Sequence, residues 1–179
     1  MDLAVLHWIQ DVIQHPALIG LFKLITFTGD GGYLWIALAL ILFLKGERKK
    51  ALFLLLTLGL TSLVVNQGIK LIVLRDRPFV TDPTLIPRIT PPTSTSFPSG
   101  HSSTSMCCAF YLLLTEKNWF GRVSFVWGIL ICLSRLVLLD HYPTDVLCGA
   151  LIGIMIGYLM FKAKDKFQLK KTVFQSFFM

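Results

Sequence analysis

The stretch S-R-L-V-L-L-D-H-Y-P-T-D, residues Ser134 to Asp145, decides how this chain is read. It closes a long apolar run and brings Arg135, His141 and Asp145 together. A charged group at the centre of a membrane helix is unfavourable by roughly 2.5–3.5 kcal/mol on translocon scales, so such groups pair with one another or grip a ligand. Asp145 stands four residues beyond His141, within reach of its ring, and Pro143 suits the first turn of a new helix. A carboxylate on one imidazole nitrogen fixes the tautomer and leaves the other nitrogen as a base or nucleophile. The bland alternative is a purely structural His–Asp pair. Arg135 offers planar, bidentate donors to one edge of a phosphate.

Two earlier segments supply companions. Lys70 and Arg77 are seven residues apart, about two helical turns, and would share a face if the helix persists between them. Lys70 alone would be read as a snorkelling lysine. An arginine followed by Pro78 at the end of the same helix favours ligand binding. Arg75 reads as a surface residue paired with Asp76. Pro98-Ser99-Gly100-His101 opens a helix, with Ser99 as its cap and Gly100 allowing the backbone close to a ligand. The first amides of such a helix carry partial positive charge suited to phosphate oxygens. An ordinary cap would be the preferred reading without His101 and the arginines. With them, His101 stands at the rim of an anion site as a general acid.

Composition sets the medium. Of 179 residues 54% are hydrophobic and only 15% charged, which points to one membrane-embedded domain. Cys107, Cys108, Cys132 and Cys148 all lie in apolar runs without CxxC spacing, so they read as structural thiols. A net charge of +7 would fit nucleic-acid binding, but its distribution excludes that class. Eleven of the seventeen Lys and Arg fall in residues 45–50, 117–122 and 162–171, between or after apolar runs, the positive-inside pattern.

The fold expected is an all-α integral membrane bundle with five spans. Residues 1–28 are read as two interfacial amphipathic helices broken at Pro16. The competing reading, one kinked span from Leu3 to Phe27, would make six. After the turn Gly29-Asp30-Gly31-Gly32, spans are expected at 33–44, 51–74, about 100–115, 123–139 and 144–161. Residues 29–162 form the transmembrane core and 163–179 a basic cytoplasmic tail. With the basic loops inside, all three motifs fall on the non-cytoplasmic face.

K-x6-R-P (Lys70, Arg77, Pro78), P-S-G-H (Pro98 to His101) and S-R-x5-H-x3-D (Ser134, Arg135, His141, Asp145) resemble the three signatures of the type 2 phosphatidic acid phosphatase superfamily. The chain looks most like its small bacterial membrane members, such as phosphatidylglycerophosphatase B and undecaprenyl-diphosphate phosphatases. The resemblance implies that His141 attacks phosphorus, Asp145 orients it, and His101 protonates the leaving oxygen and later activates water. It implies that Lys70, Arg77, Ser99, Gly100 and Arg135 hold the phosphate oxygens, and that no metal or cofactor takes part. The sequence agrees in having no acidic cluster suited to Mg²⁺. The implied partner is a membrane lipid in the bilayer of the plasma membrane. The substrate expected is undecaprenyl diphosphate, then phosphatidylglycerophosphate or phosphatidic acid. A lipid A phosphatase and a non-catalytic headgroup carrier or flippase are the alternatives. Many relatives carry Gly-Val where this chain has Leu139-Asp140. Asp140 adds negative charge beside the pocket and either raises the His141 pKa or points away.

Overall fold

The computed structural model describes residues 1–177, with side chains described through residue 167. Among the described residues every element is helical. The order is α1 (Asp2–Val12), α2 (Pro16–Gly29), a 3₁₀ turn (Asp30–Gly32), α3 (Tyr33–Leu44) and α4 (Arg48–Ser62). A π-helical stretch (Leu63–Ile69) then leads into the single turn α5 (Lys70–Ile72), followed by α6 (Pro78–Thr81). The chain finishes with α7 (Gly100–Glu116), α8 (Trp119–Val137) and α9 (Pro143–Phe177).

α7 is the hub. Its sequence is rich in Ser, Thr, Cys and Ala, and residues 102–109 are all buried. Such small side chains let neighbouring helices approach closely, as they do in membrane bundles. Gly149, Gly153 and Gly157 line α9 where it crosses α7. A Cβ on them would lie 2.7, 2.3 and 2.5 Å from the carbonyl oxygens of Ser99, Ser103 and Cys107. Only glycine fits that crossing. On the other side Gly128 of α8 meets Ala109 in the same way. The helix starts follow local chemistry: Ser99 caps α7, Asn118 accepts from the Phe120 and Gly121 amides to cap α8, and Pro16 and Pro143 open α2 and α9.

The outer surface is apolar. Leu40, Leu44, Leu52, Leu56, Leu133, Leu151 and Met155 are all exposed. A belt of this kind has no place in water and marks the face that lipid covers. Four stretches are long and apolar enough to cross a membrane: Pro16–Leu44, Arg48–Ile72, Trp119–Val137 and Pro143–Phe167. α7, at 17 residues, spans about 26 Å inside the bundle.

The two ends of the bundle differ. At one, Lys50 reaches Glu116 at 3.0 Å, joining the first turn of α4 to the end of α7. At the other, α1 lies on the loop before α7: His7 Nε2 is 2.9 Å from Asp82, and Gln10 bonds the Thr84 carbonyl and the Ile86 amide. α2 stays near this second end, with Thr26 on Arg135 and Gly29 against His101. Gly31 and Gly32 adopt left-handed backbone (φ 56° and 76°), which breaks the run from Pro16 to Leu44 into two short helices.

Several boundaries differ from those expected. The helix carrying Lys70 ends at Ile72 rather than Leu74, and Arg77 lies in extended backbone, so the two do not share a helical face. They meet because the chain folds back. α9 does not stop near 161 but continues to Phe177, so the tail beginning at 163 is helical. The side chains of 168–179, and the tail charges at Lys170 and Lys171, lie outside the described residues.

Candidate active site

All eight residues singled out from the three motifs lie at the second end, around one cleft. The cleft encloses about 650 Å³, and Lys70, Arg77, Gly100, His101, Arg135 and His141 line it. Ser99 and Asp145 stand behind it. His101 opens α7, Arg135 closes α8, and His141 sits in the short connection to α9, with Asp145 in the first turn of α9.

His141 is 2% exposed. Its Nδ1 lies 3.5 Å from Asp145 Oδ2 and 3.4 Å from Ser96 Oγ, while the Ser96 hydroxyl donates to Asp145 at 2.5 Å. The carboxylate and the serine together hold Nδ1 as the protonated nitrogen, which leaves the Nε2 lone pair on the cleft side, 3.5 Å from Arg77 Nη1. Burial pushes the imidazole down to about 4, against the opposing pull of Asp145 and Asp140. That shift favours the neutral ring, the form in which an imidazole nitrogen can act as a nucleophile.

Asp145 is a crowded acceptor. Besides Ser96 it takes the Tyr142 amide at 3.1 Å and Arg75 Nη1 at 2.6 Å. Arg75 is therefore not paired with Asp76. It bridges Asp145 and Asp2 (2.9 Å) and stacks its guanidinium 3.8 Å from the centre of the Tyr142 ring. Arg75 and Ser96 are site residues that the motif reading missed. The carboxylates drive the Arg75 pairing, offsetting its burial and holding the guanidinium firmly charged.

The three cations of the cleft are held by backbone, hydroxyls and Asp140. Lys70 Nζ donates to the Thr95 carbonyl at 2.5 Å. Arg77 donates to the Ser94 carbonyl (2.8 Å) and hydroxyl (3.1 Å), to the Asp140 carbonyl (3.1 Å) and to Asp140 Oδ1 (2.6 Å). Arg135 donates to Thr26 Oγ1 at 2.5 Å and to Asp140 Oδ2, while its buried Nε has no partner among the described residues. Asp140 thus bridges both arginines, fully buried, with Oδ2 3.5 Å from His141 Nε2. Burial alone would raise its carboxyl, but Arg135, His141 and Arg77 outweigh burial and keep it low and charged. Asp140 does not point away: its charge raises the His141 imidazole, as the first of the two readings expects, but burial outweighs it and the net shift is downward. Leu139 beside it has φ 58°, the left-handed region that a Gly would fill without strain. A non-Gly residue there costs roughly 1–2 kcal/mol, offset here by packing against Leu6, Leu85 and Tyr142.

Ser99 caps α7, its Oγ accepting from the Ser102 hydroxyl at 2.9 Å and the Ser102 amide at 3.4 Å. Gly100 has no room for a side chain, since a Cβ would meet Asn66 Oδ1 at 2.9 Å. Asn66 and Gln67 reach the cleft from the π-helical stretch, a distortion that often marks functional sites. Two amide side chains within an apolar span were the signal for them. His101 Nε2 is 2.6 Å from Asp30 Oδ1. Among the described residues no group of three or more His, Cys, Asp or Glu side chains is placed to hold a metal ion.

A bundle of apolar-surfaced helices with two histidines and three buried cations around one cleft defines a membrane enzyme of phosphoryl chemistry. Residues 50–169 match the PAP2 superfamily, and the chain belongs to it. It is 33% identical to the undecaprenyl-diphosphatase BcrC of Bacillus subtilis over 135 residues, 74% of this chain and 68% of that protein. It is 32% identical to an undecaprenyl-diphosphatase of Sulfolobus acidocaldarius over 143 residues, 78% of this chain and 68% of that one. Among solved structures, LpxE of Aquifex aeolicus superposes with a TM-score of 0.79 at 28% identity, covering 90% of this chain and 94% of that one. A PAP2-type phosphatidylglycerolphosphate phosphatase of Bacillus subtilis gives 0.74 at 27% identity, covering 92% and 85%. The chain is a membrane phosphatase, a hydrolase of this superfamily.

Proposed function

We propose that the chain hydrolyses the terminal phosphate of a membrane lipid, with undecaprenyl diphosphate as the favoured substrate. The observation that carries this reading is the make-up of the cleft. One wall holds Lys70, Arg77, Arg135 and both histidines, and the other is Ile36 of α3 with Leu55 and Leu58 of α4. A phosphate group with an apolar tail matches both walls; a soluble phosphate matches only one.

The terminal phosphorus sits between His141 Nε2 and His101. Arg77, Arg135 and Lys70 take its equatorial oxygens, with the orphan Arg135 Nε–H as a donor awaiting an acceptor. Nε2 attacks, the P–O bond to the leaving group breaks, and His101 delivers a proton to that oxygen. Water then attacks the phosphohistidine, gives its proton to neutral His101, and the P–N bond electrons return to Nε2. Asp145 and Ser96 hold the His141 tautomer through both steps, and the Ser99-capped helix end with Gly100 faces the phosphate. Cationic side chains do the neutralising, so activity is expected to survive excess EDTA and to be inhibited by vanadate. Loss in EDTA that Mg²⁺ restores would overturn this part.

The relatives named as undecaprenyl-diphosphatases support the substrate choice. Phosphatidylglycerophosphate is the second reading, favoured by the solved Bacillus subtilis structure and by a phosphatidylglycerophosphatase B of Haemophilus influenzae that is 32% identical over 91 residues. Lipid A is the weaker choice: a lipid A 4'-phosphatase of Porphyromonas gingivalis covers 84% of this chain at only 27% identity, and a lipid A 1-phosphatase of the same organism covers 39% of this chain and 16% of that protein. The basic loops at 45–50 and 117–122 sit at the end of the bundle away from the cleft, which supports an outward-facing site in the plasma membrane. α1 and α2 lie along the outer interface beside it, leaving five spans.

Phosphate release from undecaprenyl diphosphate, phosphatidylglycerophosphate, phosphatidic acid and lipid A, measured side by side on detergent-purified protein, tests the reading. The fastest turnover is expected with the diphosphate. Binding of these lipids without any phosphate release would establish the carrier reading instead. Impermeant labelling of single cysteines at position 2 and in the loop 45–50 on intact cells tests sidedness, with only the former expected to react.

A further inference from the structure

Asp30 stands outside the three motifs and outside residues 50–169, yet its carboxylate is 2.6 Å from His101 Nε2. The turn that carries it is fixed on both sides. Gly31 and Gly32 hold left-handed backbone that a side chain would strain. Just before it, Thr28 Oγ1 accepts from Trp127 Nε1 at 3.0 Å. A Cβ on Gly29 would lie 3.1 Å from the His101 ring and 3.2 Å from Ile131. The backbone is therefore pressed against α7 and α8 with Asp30 directed at one ring nitrogen.

The His101 ring stands between two cavities. One is the cleft of about 650 Å³ that holds His141, Arg77 and Lys70; the other, about 490 Å³, is lined by Asp30, Lys23, Thr26 and Thr90. Arg135 borders both. Asp30 lines only the second, so Nε2 faces that side. Nδ1 has no hydrogen-bond partner among the described residues and is the nitrogen left for the cleft.

We propose that Asp30 is the positioning residue of the general acid. This rests on the phosphatase reading above, in which His101 protonates the leaving oxygen. Asp30 accepts the Nε2–H, holds the imidazolium plane across the cleft, and leaves Nδ1–H as the proton to be donated. As the P–O bond breaks, its electron pair stays on the leaving oxygen, which takes the Nδ1 proton. In the second step Nδ1 accepts a proton from the attacking water, the P–N bond electrons return to His141 Nε2, and the imidazolium is restored. Asp30 keeps its charge throughout. A carboxylate and a serine fix the nucleophile; a second carboxylate, from the segment before α3, fixes the acid.

Asp30→Asn, Asp30→Glu and His101→Gln, purified in detergent, separate this role from a structural one. The substrates are p-nitrophenyl phosphate, whose leaving group needs little protonation, and phosphatidic acid, whose alkoxide needs it fully. Asp30→Asn is expected to lower kcat for phosphatidic acid about 10- to 100-fold with KM nearly unchanged. Its loss on p-nitrophenyl phosphate should stay below about 3-fold, and Asp30→Glu should recover part of the phosphatidic acid activity. Equal losses on the two substrates, or none on either, would overturn the proposal. His101→Gln supplies the control on the underlying reading. If it shows no dependence on leaving group, the acid assignment falls and Asp30 falls with it. If it does, while Asp30→Asn is silent, only the Asp30 role is lost.

Discussion

The two histidines of the cleft each face a carboxylate, but the two pairs are built differently. His141 is almost wholly buried, and its partner Asp145 is on the next helix turn, tied down by Ser96, Arg75 and a backbone amide. His101 is a quarter exposed, and its partner Asp30 is about half exposed on a loop 71 residues away. The difference fits the tasks proposed for them. A nucleophile must present one lone pair at one point, so it is locked. An acid must lose and regain a proton and let water in, so it borders open space. The lock is also written locally, within Ser134 to Asp145, whereas the acid's partner comes from another part of the chain.

The contrast is sharpest in what each histidine's removal should do. His141→Ala should reduce turnover by about 10⁴-fold or more on every substrate, the scale on which loss of a nucleophile acts. The protein should remain monodisperse in detergent. Substantial activity in a clean preparation would end the nucleophile assignment. His101→Ala should lose about 10²- to 10⁴-fold on a lipid monophosphate and far less on an aryl phosphate. A uniform loss would make the two histidines functionally alike and break the comparison.

Neutral His141 is a consequence of burial, and its pH signature follows. The imidazole is held down to about 4, so Nε2 keeps its lone pair at all higher pH values and loses it as pH falls through that value. Formation of the phosphohistidine, followed by rapid quench with an aryl phosphate, should therefore have its acid limb near 4. A limb near 6.5, the unperturbed histidine value, would mean that the pocket does not desolvate the ring.

Arg75 probes how much of the lock lies beyond the motif. Its guanidinium donates 2.6 Å to Asp145 and covers the Tyr142 ring. Arg75→Ala leaves Ser96 and the Tyr142 amide on the carboxylate, so about a 10- to 100-fold drop in kcat is expected, with KM little changed. Arg75→Lys should recover only part, since an ammonium lacks the fork that reaches Asp2 and Asp145 together. A change in KM alone would move Arg75 from the lock to the substrate.

Much of this site was legible in the sequence because its chemistry is unusual for its setting. Arg135, His141 and Asp145 at a membrane helix end have few other reasons to exist, and the alternation of basic loops is enough to set the motifs at a common end. What was not legible depends on long-range folding. Gly29-Asp30-Gly31-Gly32 has the composition of any turn, and nothing local says that its carboxylate meets a histidine 71 residues on. Arg75 beside Asp76 looks like a surface pair, yet the backbone turns extended after Ile72 and sends it to Asp145. The π-helical stretch that brings Asn66 to Gly100 has no period that a pattern of apolar residues would reveal.

The smallest effect tests where the lock ends. Asp2 Oδ2 accepts from Arg75 Nη2 at 2.9 Å and from the Thr144 hydroxyl at 2.5 Å, so the first turn of α1 is tied to the residue beside Asp145. Both partners are partly exposed, Arg75 at 32% and Asp2 at 21% of their side chains, and ion pairs in such positions are worth about 0.5–1 kcal/mol. With Arg75 still bonded to Asp145, Asp2→Asn should lower kcat by no more than about 5-fold, the factor that 1 kcal/mol allows. Raising the salt concentration should shrink the difference between the two proteins, because exposed charges are screened. Steady-state rates on one aryl phosphate at two ionic strengths are enough to read this. If Asp2→Asn instead fell as far as Arg75→Ala, Arg75 would be acting mainly through α1. The boundary of the nucleophile's half of the site would then extend to the start of the chain.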